Sequence, residues 1–326
     1  MQNSTRASSS IALPTSPIDL AIVGGGAAGL SAALVAGSAR LSTVVLDAGL
    51  PRNRFAHRLS SYLGADGVDP AELLARGRRE LETYGVPVIP ATVVSITGEM
   101  GAFMLTTEAG DTVQAARVIV ATGLTDRLAD IPGLAELWGS KVFHCPFCHG
   151  WEVRDQTVVS IATVPGATHA AILLPQWGAQ VTYVTNGFEL SGDERATLTS
   201  RGVTIVDDRA TRVEQIGDGT RVTLENGEPL DSDWVHAASA VEPNDHLVHQ
   251  FGLETAANPM VGVDFVVVDG DGATSVPGLF VAGNASDMGS QVILAAAAGY
   301  RSAMAAIRGK IMSDVAAGLA QATPAT

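Results

Sequence analysis

Asp19-Leu20-Ala21-Ile22-Val23-Gly24-Gly25-Gly26-Ala27-Ala28-Gly29 decides the fold. The first five residues read as a buried strand. A G-x-G-x-x-G run follows at once and leads into a helical stretch, residues 30–39. Such a glycine pattern is weak in isolation, and its place between strand and helix is what gives it meaning. Gly24 permits the tight turn, Gly26 lets a pyrophosphate approach the backbone, and Gly29 lets helix and strand pack closely. The phosphates then meet the positive end of the helix. Thr43-Val44-Val45-Leu46 reads as the second strand and ends at Asp47, where an acid can hold the ribose hydroxyls of an adenine dinucleotide. The plainer alternative is a glycine-rich turn in some other α/β fold.

Two more strand-to-turn signals lie further along. One is Arg117-Val118-Ile119-Val120-Ala121-Thr122-Gly123. The other, Gly278-Leu279-Phe280-Val281-Ala282-Gly283-Asn284, continues through Asp287 and Gln291 into a small-residue helix, 292–307. A helix start this poor in side chains either lets backbone amides reach a ligand or simply packs tightly. The 326 residues suggest two domains. With 46% hydrophobic and 17% charged residues the chain can bury a large core. Its net charge of −14, from 34 acidic and 20 basic residues, argues against nucleic acid or an anionic membrane as partner. No apolar run is long enough to span a membrane. The two ends, residues 1–16 and 316–326, read as loose tails.

The only two cysteines stand in Cys145-Pro146-Phe147-Cys148-His149. A disulfide between them would close too small a loop to stabilise the fold much, so chemistry is the better reason for the pair. C-x-x-C-H is also a c-type haem attachment string. That use needs export, and the polar, Ser-rich start lacks the apolar segment of a signal peptide. Structural zinc normally takes four ligands from two separated pairs, and no second pair exists. A two-electron dithiol is the preferred reading over haem, zinc or inert structural cysteine. A reducing cytoplasm is then the simplest location. Asp245-His246-Leu247-Val248-His249 has metal-like spacing, but no further ligands complete it and a solvated helix face is the preferred reading, so no metal is expected. His57, His169 and His236 receive no role.

In the order of these features the chain resembles the low-molecular-weight thioredoxin reductases among the FAD-dependent disulfide oxidoreductases. The resemblance covers about residues 18–308. It rests on residues 24–29, on Ala121-Thr122-Gly123, on the C-x-x-C in the middle of the chain and on residues 283–291. It implies an α/β architecture of two Rossmann-like nucleotide-binding domains: a discontinuous FAD domain, 1–124 plus 245–326, and an inserted NAD(P)-type domain, 125–244, that carries the C-x-x-C. It places FAD against Gly24, Gly26, Ala28 and Gly29, with the ribose at Asp47. Thr122, Gly123, Gly283, Gln291 and Val292 would lie near the flavin, with Asn53 a weaker candidate. Asn284 stands where the family usually has an aspartate on the ribityl chain, and an amide can still hydrogen-bond a hydroxyl. A homodimer is expected from the family alone.

The second nucleotide signature is broken. Val158-Val159-Ser160-Ile161 reads as its strand and residues 169–174 as its helix. Between them, Ala162 and Val164 stand where the family has glycines. The following strand, residues 180–184, ends in Thr185-Asn186-Gly187 with no basic cluster for a 2′-phosphate. The expectation is a degenerate domain that has lost NADPH; the alternative is an NADH site of unusual shape. Residues 143–152, Phe-His-Cys-Pro-Phe-Cys-His-Gly-Trp-Glu, resemble the FAD-dependent dithiol oxidases of the gliotoxin, holomycin and romidepsin pathways. That resemblance implies an oxidase that closes a disulfide in a small natural product, with electrons passing through Cys145 and Cys148 to FAD and on to oxygen, giving hydrogen peroxide.

His149 replaces the reductases' aspartate, and a neutral imidazole can take a thiol proton. His144 flanks Cys145 and could serve the exchange step. Either histidine could instead merely bond nearby backbone. Substrate thiolate would attack the outer Cys145, and Cys148 would leave as a thiolate stabilised by the helix that follows. Phe143, Phe147 and Trp151 line a pocket or pack in the core. Without NADPH the insert has no need to rotate, so one resting arrangement is expected. The rivals are a disulfide reductase fed by NADH, ferredoxin or another donor, and a flavin-binding redox sensor.

Overall fold

The structure, a computed structural model, describes residues 12–322. The glycine-rich turn follows β1 (Ile18–Val23) and opens α1 (Ala27–Ser38). Next come β2 (Thr43–Asp47), α2 (Pro70–Glu82), β3 (Val88–Pro90) and the meander β4 (Val93–Thr97), β5 (Phe103–Thr107) and β6 (Thr112–Val120). Their sheet has the order β3-β2-β1-β6-β5-β4, and the late strand Leu279–Val281 joins it parallel to β6. Leu20 and Ile22 of β1 sit in one apolar cluster with α1, while Ala21 and Val23 sit in another on the opposite face. Both faces are covered, which is why β1 reads as an unbroken apolar run rather than an alternation. Val23 pairs with Leu46 on one side and Val120 on the other, so Gly24, Asp47 and Ala121 emerge together at the carboxyl edge. Ligands of open α/β sheets bind at that edge.

The chain then leaves along β7 (Leu124–Arg127) and forms β8 (Val142–Phe143), the one-turn α3 (Pro146–His149), β9 (Thr157–Ile161), α4 (Thr168–Leu173), β10 (Gln180–Val184), α5 (Gly192–Ser200) and β11 (Thr204–Val206). The antiparallel β12 (Ala210–Ile216), β13 (Gly219–Leu224) and β14 (Pro229–Ser232) follow, then β15 (Trp234–Ala237) and β16 (Ala240–Pro243). A second, parallel sheet has the order β11-β10-β9-β15-β8. Here too residues alternate between faces: Val142, Val159, Ile161, Val235 and Ala237 fill one cluster, and Phe143, Val158, Ala162 and Trp234 the other. Outgoing β7 and returning β16 pair antiparallel, so both crossings between the sheets run side by side.

The final helix, α6 (Val292–Ala322), extends well past the expected 292–307 and makes the stretch 316–322 helical rather than loose. Near the other end, Leu13 packs on the first core cluster. The remaining tail positions, 1–11 and 323–326, lie outside the described residues. No helix among the described residues is long and apolar enough to cross a membrane.

Candidate active site

The first cradle has the shape a dinucleotide needs. Gly24 takes φ +106°, and a Cβ there would collide with the Ala121 carbonyl oxygen. A Cβ at Gly29 would strike the Gly24 carbonyl, whereas one at Gly26 would meet nothing within 4 Å, so space stays open beside that residue. Ala28 is buried and packs α1 against α6: a Cβ at Gly299 would collide with its carbonyl oxygen, and one at Gly283 (φ +72°) would come 3.0 Å from its Cβ. Asp47 Oδ1 accepts the Gly25 and Gly49 amides at 3.0 and 3.1 Å, and Oδ2 accepts Arg78 Nη2 at 2.8 Å. A carboxylate offers about four acceptor positions, so one is left for a ribose hydroxyl. A cavity of about 550 Å³ opens beside Asp47, lined also by Ala48, Pro90, Ala91 and Thr92. These residues fit the adenosine and pyrophosphate of FAD. The lining from β3 was not foreseen, because only strand pairing brings residues 89–92 beside Asp47.

Asn284 is placed differently from the expectation. Its Nδ2 donates to the carbonyls of Asp287, Met288 and Ser290 at 2.9–3.1 Å, closing the loop before α6. Only Oδ1 remains for a ligand, facing Arg52 Nη1 at 3.4 Å. The short side chain of Asn284 holds the loop in place of reaching out with its amide. Gln291 and Val292 begin α6, both half-buried, with the Gln291 carbonyl accepting from Ala295 at 2.8 Å. Asn53 lies in the short 3-10 turn Arg52–Phe55. Thr122 and Gly123 stand at the crossing, where Thr122 Oγ1 donates to the Asn244 carbonyl at 2.6 Å and Asn244 returns Nδ2 to the Thr122 carbonyl at 3.1 Å.

Cys145 and Cys148 are joined as a disulfide with Cα atoms 5.3 Å apart. Pro146 takes the first helical position, where its missing N–H is harmless, and Cys145 becomes the N-cap of α3. Its sulfur accepts the Cys148 amide at 3.2 Å. This corrects the expectation: the helical amide supports the Cys145 sulfur, not Cys148, because the N-cap side chain is the one that meets the free N–H groups. Of the three aromatics, Phe143 is 1% exposed and belongs to the core, while Phe147 and Trp151 are 56% and 61% exposed. Phe147 packs edge-on against Trp177 at 5.8 Å.

The two flanking imidazoles differ from free histidine. His144 stacks on Trp138 at 5.3 Å. Burial first, then the charge of Arg52, depresses its pKa to about 3 against the opposing pull of Asp126. Burial also lowers His149, with the Cys145 backbone opposing, and its Nδ1 is buried without a hydrogen-bond partner among the described residues. Burial thus favours the neutral form of both rings and makes each a weaker base than an unperturbed imidazole. A thiolate formed beside either ring would raise its basicity again, since an opposite charge favours the protonated form.

His236, fully buried, is likewise lowered by burial to about 4. For such groups the unfolded chain binds more protons between the unfolded pKa near 6.5 and the folded value, so stability is complete above that pH and is lost as pH falls. The melting temperature is therefore expected to decline from pH 6.5 towards pH 4. A flat profile across that window in calorimetry would contradict the burial of these rings.

The dithiol turn is fastened to the first sheet's loops. Ser60 Oγ donates to the Cys148 carbonyl at 2.6 Å. Arg52 forms a two-pronged pair with Asp126, Nε to Oδ2 and Nη2 to Oδ1, both at 2.8 Å. Burial alone would raise the Asp126 carboxyl, but the Arg52 bonds and charge, with Ser239, bring it below its usual value. Arg58 Nε lies 3.4 Å from Glu152 Oε1, and burial raises the Glu152 carboxyl. Neither atom has a well-aligned hydrogen bond. Sequence reading missed Arg52, Ser60 and Asp126, whose partners lie 74 or more residues away.

The second cradle is built differently from the first. Thr163 Oγ1 donates to the Ala238 carbonyl at 2.5 Å. Asn186 bridges the strand ends, donating to the Ala162 carbonyl at 2.8 Å and accepting the Ala210 amide at 3.0 Å. Val164, half-buried, packs onto the insert's core. α4 is only six residues long before Pro175 turns the chain into a 3-10 segment. One expectation is overturned here. The Arg209 guanidinium lies against Gly187, so a positive charge does reach the end of β10, supplied from the segment before β12. Asp245 and His249 form a local pair at 2.8 Å within a 3-10 turn, with Asp245 buried. Among the described residues no group of three or more His, Cys, Asp or Glu could hold a metal ion.

Comparison with known proteins places these features in a family. The family model described as "Pyridine nucleotide-disulphide oxidoreductase" matches residues 18–308. "Thioredoxin reductase tcpT" of Claviceps purpurea is 30% identical over 285 residues, covering 82% of this chain and 86% of that protein. Among solved structures, "Crystal structure of HlmI" aligns with TM-score 0.90 at 35% identity, covering 95% of this chain and 98% of that one. An oxidoreductase from Agrobacterium tumefaciens aligns with TM-score 0.85 at 34% identity, covering 91% and 99%. The chain thus belongs to the pyridine nucleotide-disulphide oxidoreductases and is a flavoprotein of the FAD-binding, thioredoxin reductase-like type.

Proposed function

We propose that this disulfide oxidoreductase works as a dithiol oxidase, closing a disulfide in a small-molecule natural product and passing the two electrons to oxygen. The observation that carries the reading is the contrast between the two cradles. The first is open beside Gly26, while in the second Thr163 and Asn186 bond to the chain's own backbone. The resemblance of residues 143–152 to dithiol oxidases supports the same direction. In this reading residues 1–124 and 245–326 form the FAD domain and residues 125–244 the insert. FAD, held by Gly24, Gly26, Ala28, Gly29 and Asp47, supplies the two-electron acceptor and the route to oxygen.

The chain's own residues do the rest. Substrate thiolate attacks the Cys145 sulfur, forming a mixed disulfide and freeing Cys148 as thiolate. His149, neutral but shielded, takes a proton only once negative sulfur is beside it, which confines proton transfer to the exchange itself. The second substrate thiol then displaces Cys145. The Cys148 N–H on the Cys145 sulfur stabilises that departing thiolate. Ser60 keeps the turn seated throughout, and the Arg52–Asp126 pair braces the crossing beside it.

Anaerobic mixing tests the direction. A small dithiol such as dithiothreitol is expected to bleach the flavin within one turnover, and stoichiometric NADPH to leave it oxidised. Rapid bleaching by NADPH would make the protein a reductase, and Arg209 the first residue to examine. Peroxide release on readmitting air would identify oxygen as the acceptor.

A further inference from the structure

Ser160, His236 and Phe143 occupy one row across β9, β15 and β8. His236 is in register with Ser160 on one side and with Phe143 on the other. Their neighbours on that face of the sheet are apolar, Val158, Ala162 and Trp234. Yet Ser160 and His236 are both 0% exposed, and each is polar. Ser160 Oγ lies 2.8 Å from His236 Nδ1, and His236 Nε2 lies 3.1 Å from the His144 carbonyl oxygen. A carbonyl can only accept, so Nε2 carries the hydrogen and Nδ1 accepts from the serine hydroxyl. The two bonds thus run in one direction, from β9 through β15 to the residue before Cys145.

We propose that His236 is a positioning residue for the redox turn, holding the His144–Cys145 peptide so that the Cys145 sulfur stays aligned for exchange. The ladder explains why a side chain is needed. β8 has only two residues, and its pairing with β15 ends at Phe143. The His144 carbonyl lies one residue beyond that pairing, and the imidazole extends the ladder by one bond. Without the imidazole the His144 carbonyl loses its bond to β15, and the peptide before Cys145 is held less firmly. Exchange at sulfur does demand alignment, and small displacements of a reacting atom are costly. This role is indifferent to the direction of electron flow, so it stands or falls apart from the oxidase reading.

The test compares variants of the FAD-loaded protein. One readout is the rate at which dithiothreitol reduces the Cys145–Cys148 disulfide. The other is the rate at which iodoacetamide alkylates Cys145 in the reduced protein, read by mass spectrometry. His236→Phe is expected to slow disulfide reduction by about 10-fold, the order of one lost buried hydrogen bond, and to change the Cys145 alkylation rate at unchanged FAD content. His236→Gln, which keeps an N–H long enough to reach the His144 carbonyl, is expected to restore both to within about threefold. Unchanged rates in His236→Phe, or equal slowing in His236→Gln, would overturn the role. Should His236→Phe fail to fold, His236→Gln is compared with the shorter His236→Asn. A slow asparagine variant beside a fast glutamine variant supports the proposal, and equal rates overturn it.

Discussion

Cys148→Ser is expected to abolish disulfide turnover, lowering it by at least about 10⁴-fold as removal of an essential nucleophile does, while the protein still purifies yellow. The physical reason is that the two-electron couple needs both sulfurs. With Cys148 gone, a substrate thiolate has no disulfide to attack, and a thiol at Cys145 can only be alkylated or oxidised singly. Cys145→Ser is expected to be equally inactive, for a different cause: it removes the sulfur that accepts the Cys148 amide and receives the substrate. Retention of turnover by Cys148→Ser would mean that electrons bypass the inner sulfur, and the exchange scheme would fail with it.

Gly299→Ala is expected to empty the FAD site, although residue 299 belongs to neither glycine fingerprint. A Cβ at Gly299 runs into the Ala28 carbonyl oxygen, a backbone atom that cannot swing aside. α6 must then retreat from α1, and the first turn of α1 is the wall of the phosphate cradle. Overpacking of this kind usually costs about 1–3 kcal/mol, and contact with backbone puts it at the upper end. The melting temperature and the bound FAD content should fall together. Gly318 supplies the control within the same helix. A Cβ there meets nothing within 4 Å, so Gly318→Ala is expected to stabilise α6 by up to about 1 kcal/mol. A Gly299→Ala protein with full flavin content and unchanged melting would show that α1 and α6 are not held at this distance.

The chain's local order made much of this legible. Residues 19–29 could hardly be anything but strand, turn and helix, because an apolar run ending in G-x-G-x-x-G has few other uses for its glycines. Cys145 and Cys148 were equally plain, since no other cysteine competes for them. Errors arose where a residue's neighbour is remote in sequence. The stretch 185–187 looked devoid of positive charge, but Arg209 arrives there from another segment. Phe143 could line a pocket or pack in the core by sequence, and strand alternation places it in the core.

The sequence by itself determined the first strand, glycine turn and helix and the pairing of the two cysteines, because each depends on residues within about ten positions of one another. Only the tertiary structure decided which sulfur the helical amide supports, that burial weakens His144 and His149 as bases, that Ser60 bonds the Cys148 carbonyl, that Arg52 pairs with Asp126 and that His236 meets the His144 carbonyl. Those properties come from burial and from contacts between strands and loops that meet only once both sheets have formed. A pKa or a hydrogen bond of that kind belongs to the assembled neighbourhood, and no window of sequence contains it.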